Sequence, residues 1–408
     1  VLFLQGFQNY CKDRMMNTVK KTSISEIIPL STWIRLGLVW VVVVIFSLFG
    51  HDLLGAQMGA GTAVAVFLLL LATIVGAAFG VVREADELAH KLGEPYGTLI
   101  LTLSIVSIEV ILIAAVMLGP TENPTIGKDS IFSVMMIIMN LVMGLCLLLG
   151  GMKYGEQEYN AQGAMAYHSM IIMLGGISMM LPNFISGAGD GSFSTTQAII
   201  LSGLVALLYA AFLYFQMTNY RHHYIQPPVG QMEIRFADTI INAELEASES
   251  SQATNSAKSE ILIRSIVLLG MILPIVLLSH HMAVVVDYGI QAAQLPTLLG
   301  GVLIAIIVFT PESMTAVKAA LNNEFQRAIN LCHGAFVSTV GLTVPAVLIV
   351  GLIAGKTVHF GLTGTETILF VLTLLLSLMS FMGRRTSPII GLMHLTLFIV
   401  FIMLIFNP

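Results

Sequence analysis

The sequence predicts an all-α, polytopic membrane protein of about eleven transmembrane helices. Three features lead there: scarce charge, long apolar runs, and a lopsided placement of the basic residues. Of 408 residues, 56% are hydrophobic and only 10% are Asp, Glu, Lys or Arg. Soluble domains carry about 25% charged residues, so one soluble core does not absorb the rest of this chain. Runs such as Thr62–Val82, Tyr96–Leu118 and Phe370–Phe381 lie in apolar stretches. A helix needs ~20 apolar residues to cross the hydrocarbon, where no water satisfies the backbone. The runs are continuous rather than alternating, which excludes an outer-membrane barrel.

Helices are expected at roughly 33–50, 62–82, 96–118, 129–151, 164–185, 195–217, 261–283, 295–321, 327–354, 364–382 and 387–406. The separators His51–Gly61, Gly119–Lys128, Pro182–Thr195 and Gly383–Pro388 are rich in turn formers. Residues 1–32 form an N-terminal tail. Within it Val1–Met15 reads as a protease-site remnant ahead of a start at Met15 or Met16. Residues 218–260 form a polar linker, read as a tether or a short amphipathic helix.

Charge tests the topology. With a cytoplasmic N-terminus and alternating helices, only Lys128 and Lys356 of the eighteen basic residues fall on outer segments. The positive-inside rule expects such a bias. The chain is therefore read as a multi-pass protein of a cell inner membrane or plasma membrane, with its C-terminus outside. The net charge of −5 gives no basic face for nucleic acid, so the expected partners are lipid and transported ions. Cys11, Cys146 and Cys332 show no metal-ligand spacing and read as reduced packing residues; no cofactor is expected.

Two glutamates interrupt the apolar runs. Glu109 lies near the middle of the third helix and Glu312 in the eighth. A carboxylate at that depth costs roughly 2.5–3.5 kcal/mol on insertion scales and marks a functional position by default. Each is followed by a short polar connection and a second helix with polar groups. In the first half these are Ser133, Asn140 and Gly144; in the second, His333, Gly334, Ser338 and Thr339. With five extra residues in the first connection, Asn140 falls opposite Ser338. Setting aside helix 33–50, residues 62–217 and 261–406 form two inverted five-helix repeats, as in secondary transporters. Pro311, beside Glu312, removes an amide donor and frees a carbonyl one turn back as a potential cation ligand.

Other polar residues have competing readings. Ser104 and Ser107 serve as ligands or bond their own helix. His333 serves as a proton relay or packs between helices. His168, His280, His281 and His394 read as structural or interfacial. Gly76 and Gly80 read as a close-packing pair. Glu84, Asp86, Glu87 and Glu94 attract cations to the entrance or, the preferred reading, form a salt-bridged, solvated face. Glu233, Asp238, Glu244, Glu246 and Glu249 fit no calcium-loop spacing.

At these residues the chain resembles the calcium/proton exchanger family of the cation/calcium exchanger superfamily, and most nearly its bacterial ChaA-type branch. The similar strings run from Val81 to Ile100, Val-Val-Arg-Glu-Ala-Asp-Glu onward, and from Pro311 to Asn330, Pro-Glu-Ser-Met-Thr-Ala onward. The family repeat motif reads roughly Gly-Asn-Ala-x-Glu. Here the matching residues are Ile105-Val-Ser-Ile-Glu109 and Val308-Phe-Thr-Pro-Glu312; both glutamates are kept and both Gly-Asn pairs are absent. The resemblance implies that Glu109 and Glu312 bind the cation and the proton. Ser107, Thr310 and main-chain carbonyls then stand in for the missing asparagines, with Asn140 and Ser338 as further helpers.

The expectation is a secondary transporter rather than an enzyme: a cation/proton antiporter moving Ca2+, and also Na+ or K+, by alternating access. The alternative is a cation channel with intramembrane glutamates. No His-Glu-x-x-His or Gly-x-Ser-x-Gly string supports an intramembrane enzyme.

Overall fold

The computed structural model describes residues 28–54, 59–92, 96–119, 123–185, 191–227 and 255–407. The N-terminal stretch Val1–Met15, Glu94, and the linker acids Glu233, Asp238, Glu244, Glu246 and Glu249 lie outside these residues. Among the described residues the chain forms eleven long helical segments. They are α1 Leu30–Leu53, α2 Ala60–Leu92, α3 Tyr96–Met117, α4 Ile126–Tyr154, α5 Ala161–Phe184 and α6 Thr195–Met217. After a 3-10 turn at Arg221–Tyr224 come α7 Asn255–Ala292, α8 Leu298–Leu321, α9 Phe325–Ala354, α10 Gly364–Ser380 and α11 Pro388–Phe406. All but α3 and α10 are long and apolar enough by themselves to cross a membrane. The apolar part of α3 is Leu103–Met117, and α10 has 17 residues, or about 25 Å of helix.

Helix ends follow local chemistry. Ser194 and Thr363 start α6 and α10 with reciprocal capping boxes to Gln197 and Glu366. Asn160 caps α5 by accepting from the Gln162 and Gly163 amides. These bonds satisfy donors that a helix start leaves free. Gly355 ends α9 at φ 64°, a left-handed turn that glycine adopts without steric cost.

Burial sorts the helices. Every residue from Ile126 to Asn140 of α4 is buried, so this helix runs through the centre of the molecule. The outer helices expose large apolar side chains, including Leu38, Leu48, Leu207, Ile353, Ile368 and Ile399. Such a surface suits hydrocarbon rather than water. Close approaches hold the centre together. A Cβ on Gly301 of α8 would lie 2.6 Å from the Ser130 amide nitrogen of α4, and one on Gly391 of α11 would lie 2.7 Å from the Gly144 carbonyl oxygen. Gly80 packs against Met271 of α7, while Gly76 has no neighbour at that range.

Two elements run longer than the sequence predicts. Helix α2 continues to Leu92, through the acidic stretch read as a solvated connection. Its Glu84 is buried, accepting from Arg264 of α7 at 3.0 Å and from the Thr32 hydroxyl at 3.2 Å. Arg264 also meets Glu260 at 3.2 Å and Glu87 at 3.6 Å. The helix continues because a partner 180 residues away neutralises its charge. Helix α7 begins at Asn255 and reaches Ala292, carrying Pro274 inside it.

Among the described residues three helices contain π segments: Met136–Val142 in α4, Gly176–Met180 in α5 and Thr339–Thr343 in α9. A π segment adds one residue to a turn, shifts the downstream face, and is frequent at functional sites.

Candidate cation and proton site

The α3 carboxylate Glu109 is fully buried. Its Oε2 accepts from the Thr339 hydroxyl at 2.9 Å, at the head of the α9 π segment. Its Oε1 has no hydrogen-bond partner. Thr343, one turn further, turns its buried hydroxyl to the same carboxyl region, and that oxygen too lacks a partner.

Glu312 of α8 is partly buried at the level of the residue, but its Oε2 is sealed and has no partner. It borders a cavity of about 10 Å3, lined also by Ile138 and Val142 of the α4 π segment and by Cys332 of α9. That is room for about one water molecule. The Glu109 carboxyl is near enough to act electrostatically on Glu312.

The arrangement is crossed. Glu109, in the first half of the chain, faces the π segment of α9; Glu312, in the second half, lines a cavity with the π segment of α4. Three buried oxygens of these side chains therefore have no hydrogen-bond partner: Glu109 Oε1, Glu312 Oε2 and Thr343 Oγ1. Buried oxygens of this kind carry a desolvation cost until something donates to them or binds them. A proton or a metal cation does either.

The other candidates point elsewhere in this conformation. Ser107 donates to the Leu103 carbonyl at 2.6 Å, and Thr310 to the Ile306 carbonyl at 2.5 Å, each on its own helix. Ser338 donates to Ala335 at 2.7 Å and faces the Tyr209 hydroxyl. Asn140 donates to Thr373 of α10 at 2.9 Å and accepts from His394 of α11 at 3.1 Å. None of these four side chains is hydrogen-bonded to either glutamate. The reason is a matter of rotation, since one residue turns a helix by about 100° and Thr339 rather than Ser338 meets Glu109.

His333 of α9 points its Nδ1 at the Ile329 carbonyl, 3.3 Å away, and its buried Nε2 has no partner. It packs against His168 of α5, with ring centroids 4.6 Å apart. His168 and His394, read from the sequence as isolated, thus join a buried cluster. Its other wall is a hydroxyl stripe on α10, Thr373, Ser377 and Ser380, at helical spacing. That spacing was the signal in the sequence.

Toward the end of the bundle where α5, α9 and α11 begin, the rings of Tyr159, Phe325 and Phe381 close over this cluster. Tyr224 packs edge-on to Tyr167 beside them. Burial pushes the Tyr224 phenol up to about 12 and raises that of Tyr159, so both stay neutral. Burial, and then the neighbouring His222, hold the His223 imidazole below its usual range. At the other end Lys128 binds Glu366 at 2.8 Å and Asp129 at 3.1 Å, joining the starts of α4 and α10.

Comparison with known proteins agrees with this layout. The family model described as "Sodium/calcium exchanger protein" matches residues 62–218 and 264–407, which are the two halves on either side of the linker. The chain is 33% identical over 352 residues to the "Sodium-potassium/proton antiporter ChaA" of Escherichia coli (strain K12), covering 86% of this chain and 92% of that one. It is 31% identical over 342 residues to the "Putative ionic transporter y4hA" of Sinorhizobium fredii, covering 83% and 88%. Among solved structures, the selenium-substituted Ca2+/H+ antiporter protein YfkE superposes with a TM-score of 0.67 at 17% identity, covering 92% of this chain and 99% of that one. The H+/Ca2+ exchanger CAX superposes with a TM-score of 0.64 at 14% identity, covering 91% and 88%. At those identities the structures speak for the fold, while the family match spans most of the chain. This chain is a member of the sodium/calcium exchanger protein family.

Proposed function

We propose that the protein is a secondary-active antiporter that moves a cation out of the cytoplasm in exchange for protons. The observation that carries this reading is the pair of intramembrane carboxyls, each with an unpartnered buried oxygen and each facing the π segment of the opposite half. With both carboxylates charged, the pair neutralises a divalent ion. Thr339 and Thr343 hydroxyls and main-chain carbonyls of the π segments complete the 6–8 oxygens that calcium prefers. With both protonated, the site is neutral and holds no metal. A place that takes either species but not both couples their fluxes.

The names of the relatives support the choice of ions. The Escherichia coli relative is named for sodium, potassium and protons, and the superposed structures for Ca2+ and protons. Ca2+, Na+ and K+ are accordingly the substrates to test. Purified protein in liposomes is expected to move protons only when one of these cations is present on the opposite side. Cation flux that persists without any proton movement would instead indicate a channel.

The two halves are read as inverted five-helix repeats, which the crossed placement of the glutamates supports. The N-terminus is placed in the cytoplasm and the C-terminus outside, on the charge asymmetry of the connections. Under that orientation, cysteines introduced at residues 231–250 stay unlabelled by an impermeant reagent in intact cells. Labelling of that linker from outside would reverse the assignment.

A further inference from the structure

We propose that α1 is a clasp on the proline break of α7, and that its Trp40 is a positioning residue for the site at Glu109. Helix α1, Leu30–Leu53, lies outside the two family-matched segments, which begin at residues 62 and 264. The consequence for transport rests on the exchange reading above; the contact between the helices does not.

Pro274 lies inside α7. Proline has no amide hydrogen, so the carbonyl four residues back loses its donor within the helix. That carbonyl belongs to Gly270, and the Trp40 indole Nε1 donates to it at 3.0 Å. In hydrocarbon no water replaces a lost partner, and a proline in a membrane helix is tolerated where a neighbouring helix satisfies the freed group. Tryptophan suits this place. Its indole is large and apolar, with one donor and no acceptor, so it brings a hydrogen to that depth with little other polar surface.

The contact is part of a longer seam. A Cβ on Gly270 would lie 3.6 Å from the Leu36 side chain of α1. Further along, Phe46 meets His281 edge-on with ring centroids 5.4 Å apart, and a Cβ on Gly50 would lie 2.6 Å from the His281 Nε2. From Trp40 to Gly50 is about 15 Å of helix, and from Gly270 to His281 about 16 Å, so the two helices keep step. At its other end α1 reaches α7 through Thr32, which donates to Glu84, the partner of Arg264.

Helix α7 packs in turn against α3, the helix of Glu109. Near their outer ends a Cβ on Gly119 would lie 3.6 Å from the Asp287 Oδ2. Helices three and seven of an alternating bundle run in the same direction. Counting back thirteen residues from each side of that contact sets Pro274 level with Val106, about 5 Å along the axis from Glu109. The break at Pro274 therefore falls against the carboxyl-bearing part of α3. With the Gly270 carbonyl held by Trp40, the break keeps one geometry, and so does the face of α7 on which α3 rests.

A double-mutant cycle tests the clasp. Trp40→Phe keeps an aromatic ring and removes the N–H. Pro274→Ala restores an amide, so α7 bonds the Gly270 carbonyl by itself. The single and double variants are compared by thermal unfolding in detergent and by cation-driven proton movement in liposomes. Trp40→Phe is expected to lower the unfolding midpoint and to slow exchange about tenfold, the scale of one unmade buried hydrogen bond. In the Pro274→Ala background the same substitution should slow exchange less than about twofold and shift the midpoint correspondingly less. If Pro274→Ala is itself inactive, the midpoints still close the cycle. If Trp40→Phe alone does not fold, a folded double variant supports the clasp and an unfolded one refutes it. Equal losses from Trp40→Phe in both backgrounds would mean that the indole only fills space and would overturn the proposal, as would exchange at the wild-type rate in Trp40→Phe. A wild type that moves cations without protons removes the exchange reading, and the unfolding cycle still decides the clasp.

Discussion

Glu109→Gln and Glu312→Gln are each expected to abolish coupled exchange while leaving the fold intact. Glutamine keeps the size and one acceptor oxygen of glutamate but neither takes up a proton nor carries the charge that holds a metal. The Thr339 hydroxyl still has an oxygen to donate to in Glu109→Gln, so the contact between α3 and α9 survives. The Glu312 side chain borders a cavity rather than a tight partner, so its amide is accommodated as well. Removing a buried carboxyl with an unpartnered oxygen also lowers the cost of placing the helix in lipid. The purified variants should therefore be at least as heat-stable as the wild type and inactive in liposomes. Exchange near the wild-type rate in either folded variant would remove that residue from the site.

Arg264→Met is expected to have the largest effect on stability. It leaves Glu84 buried, with the Thr32 hydroxyl as its remaining named donor. Breaking a buried ion pair from one side costs about 3–5 kcal/mol, because the surviving charge is stranded. The pair joins α2 to α7 and, through Thr32, to α1. The double variant Arg264→Met with Glu84→Leu removes both charges and should recover most of the loss. Thermal or denaturant unfolding of the detergent-solubilised proteins gives the comparison. A single variant as stable as the wild type would contradict this account of the pair.

The sequence made some of this legible and hid the rest for physical reasons. Helix number came from hydropathy together with the placement of Lys and Arg, because both are set by the bilayer. Glu109 and Glu312 stood out because charge in hydrocarbon is costly wherever it occurs. The course of α2 past Val82 was hidden, since the charges of Glu84 and Glu87 look solvated until Arg264 is brought beside them. The π segments were hidden too. Met136–Val142 reads Met-Ile-Ile-Met-Asn-Leu-Val, which differs in no local preference from an ordinary apolar helix. Counting along straight helices then selected Ser338, one residue short of Thr339, as the match of Asn140 in the second half. His168 and His394 each looked like a lone packing residue because their partners, Ser377 for the first and Ser380 for the second, lie on a third helix.

Competition between cation and proton for Glu109 and Glu312 is the central claim, and calorimetry in buffers of different ionisation enthalpy tests it most directly. A carboxyl that is protonated in the empty site binds metal only by releasing that proton. Binding of Ca2+, Na+ or K+ to the solubilised protein should therefore eject protons into the buffer, and apparent affinity should fall as the pH is lowered. Because the two carboxyls interact, the titration reports values for the pair rather than for either residue. Proton release should disappear in the Glu109→Gln, Glu312→Gln double variant. A cation that binds the wild type with no proton release, and with the same affinity in acid as in alkali, would contradict a shared site and leave the channel as the better account.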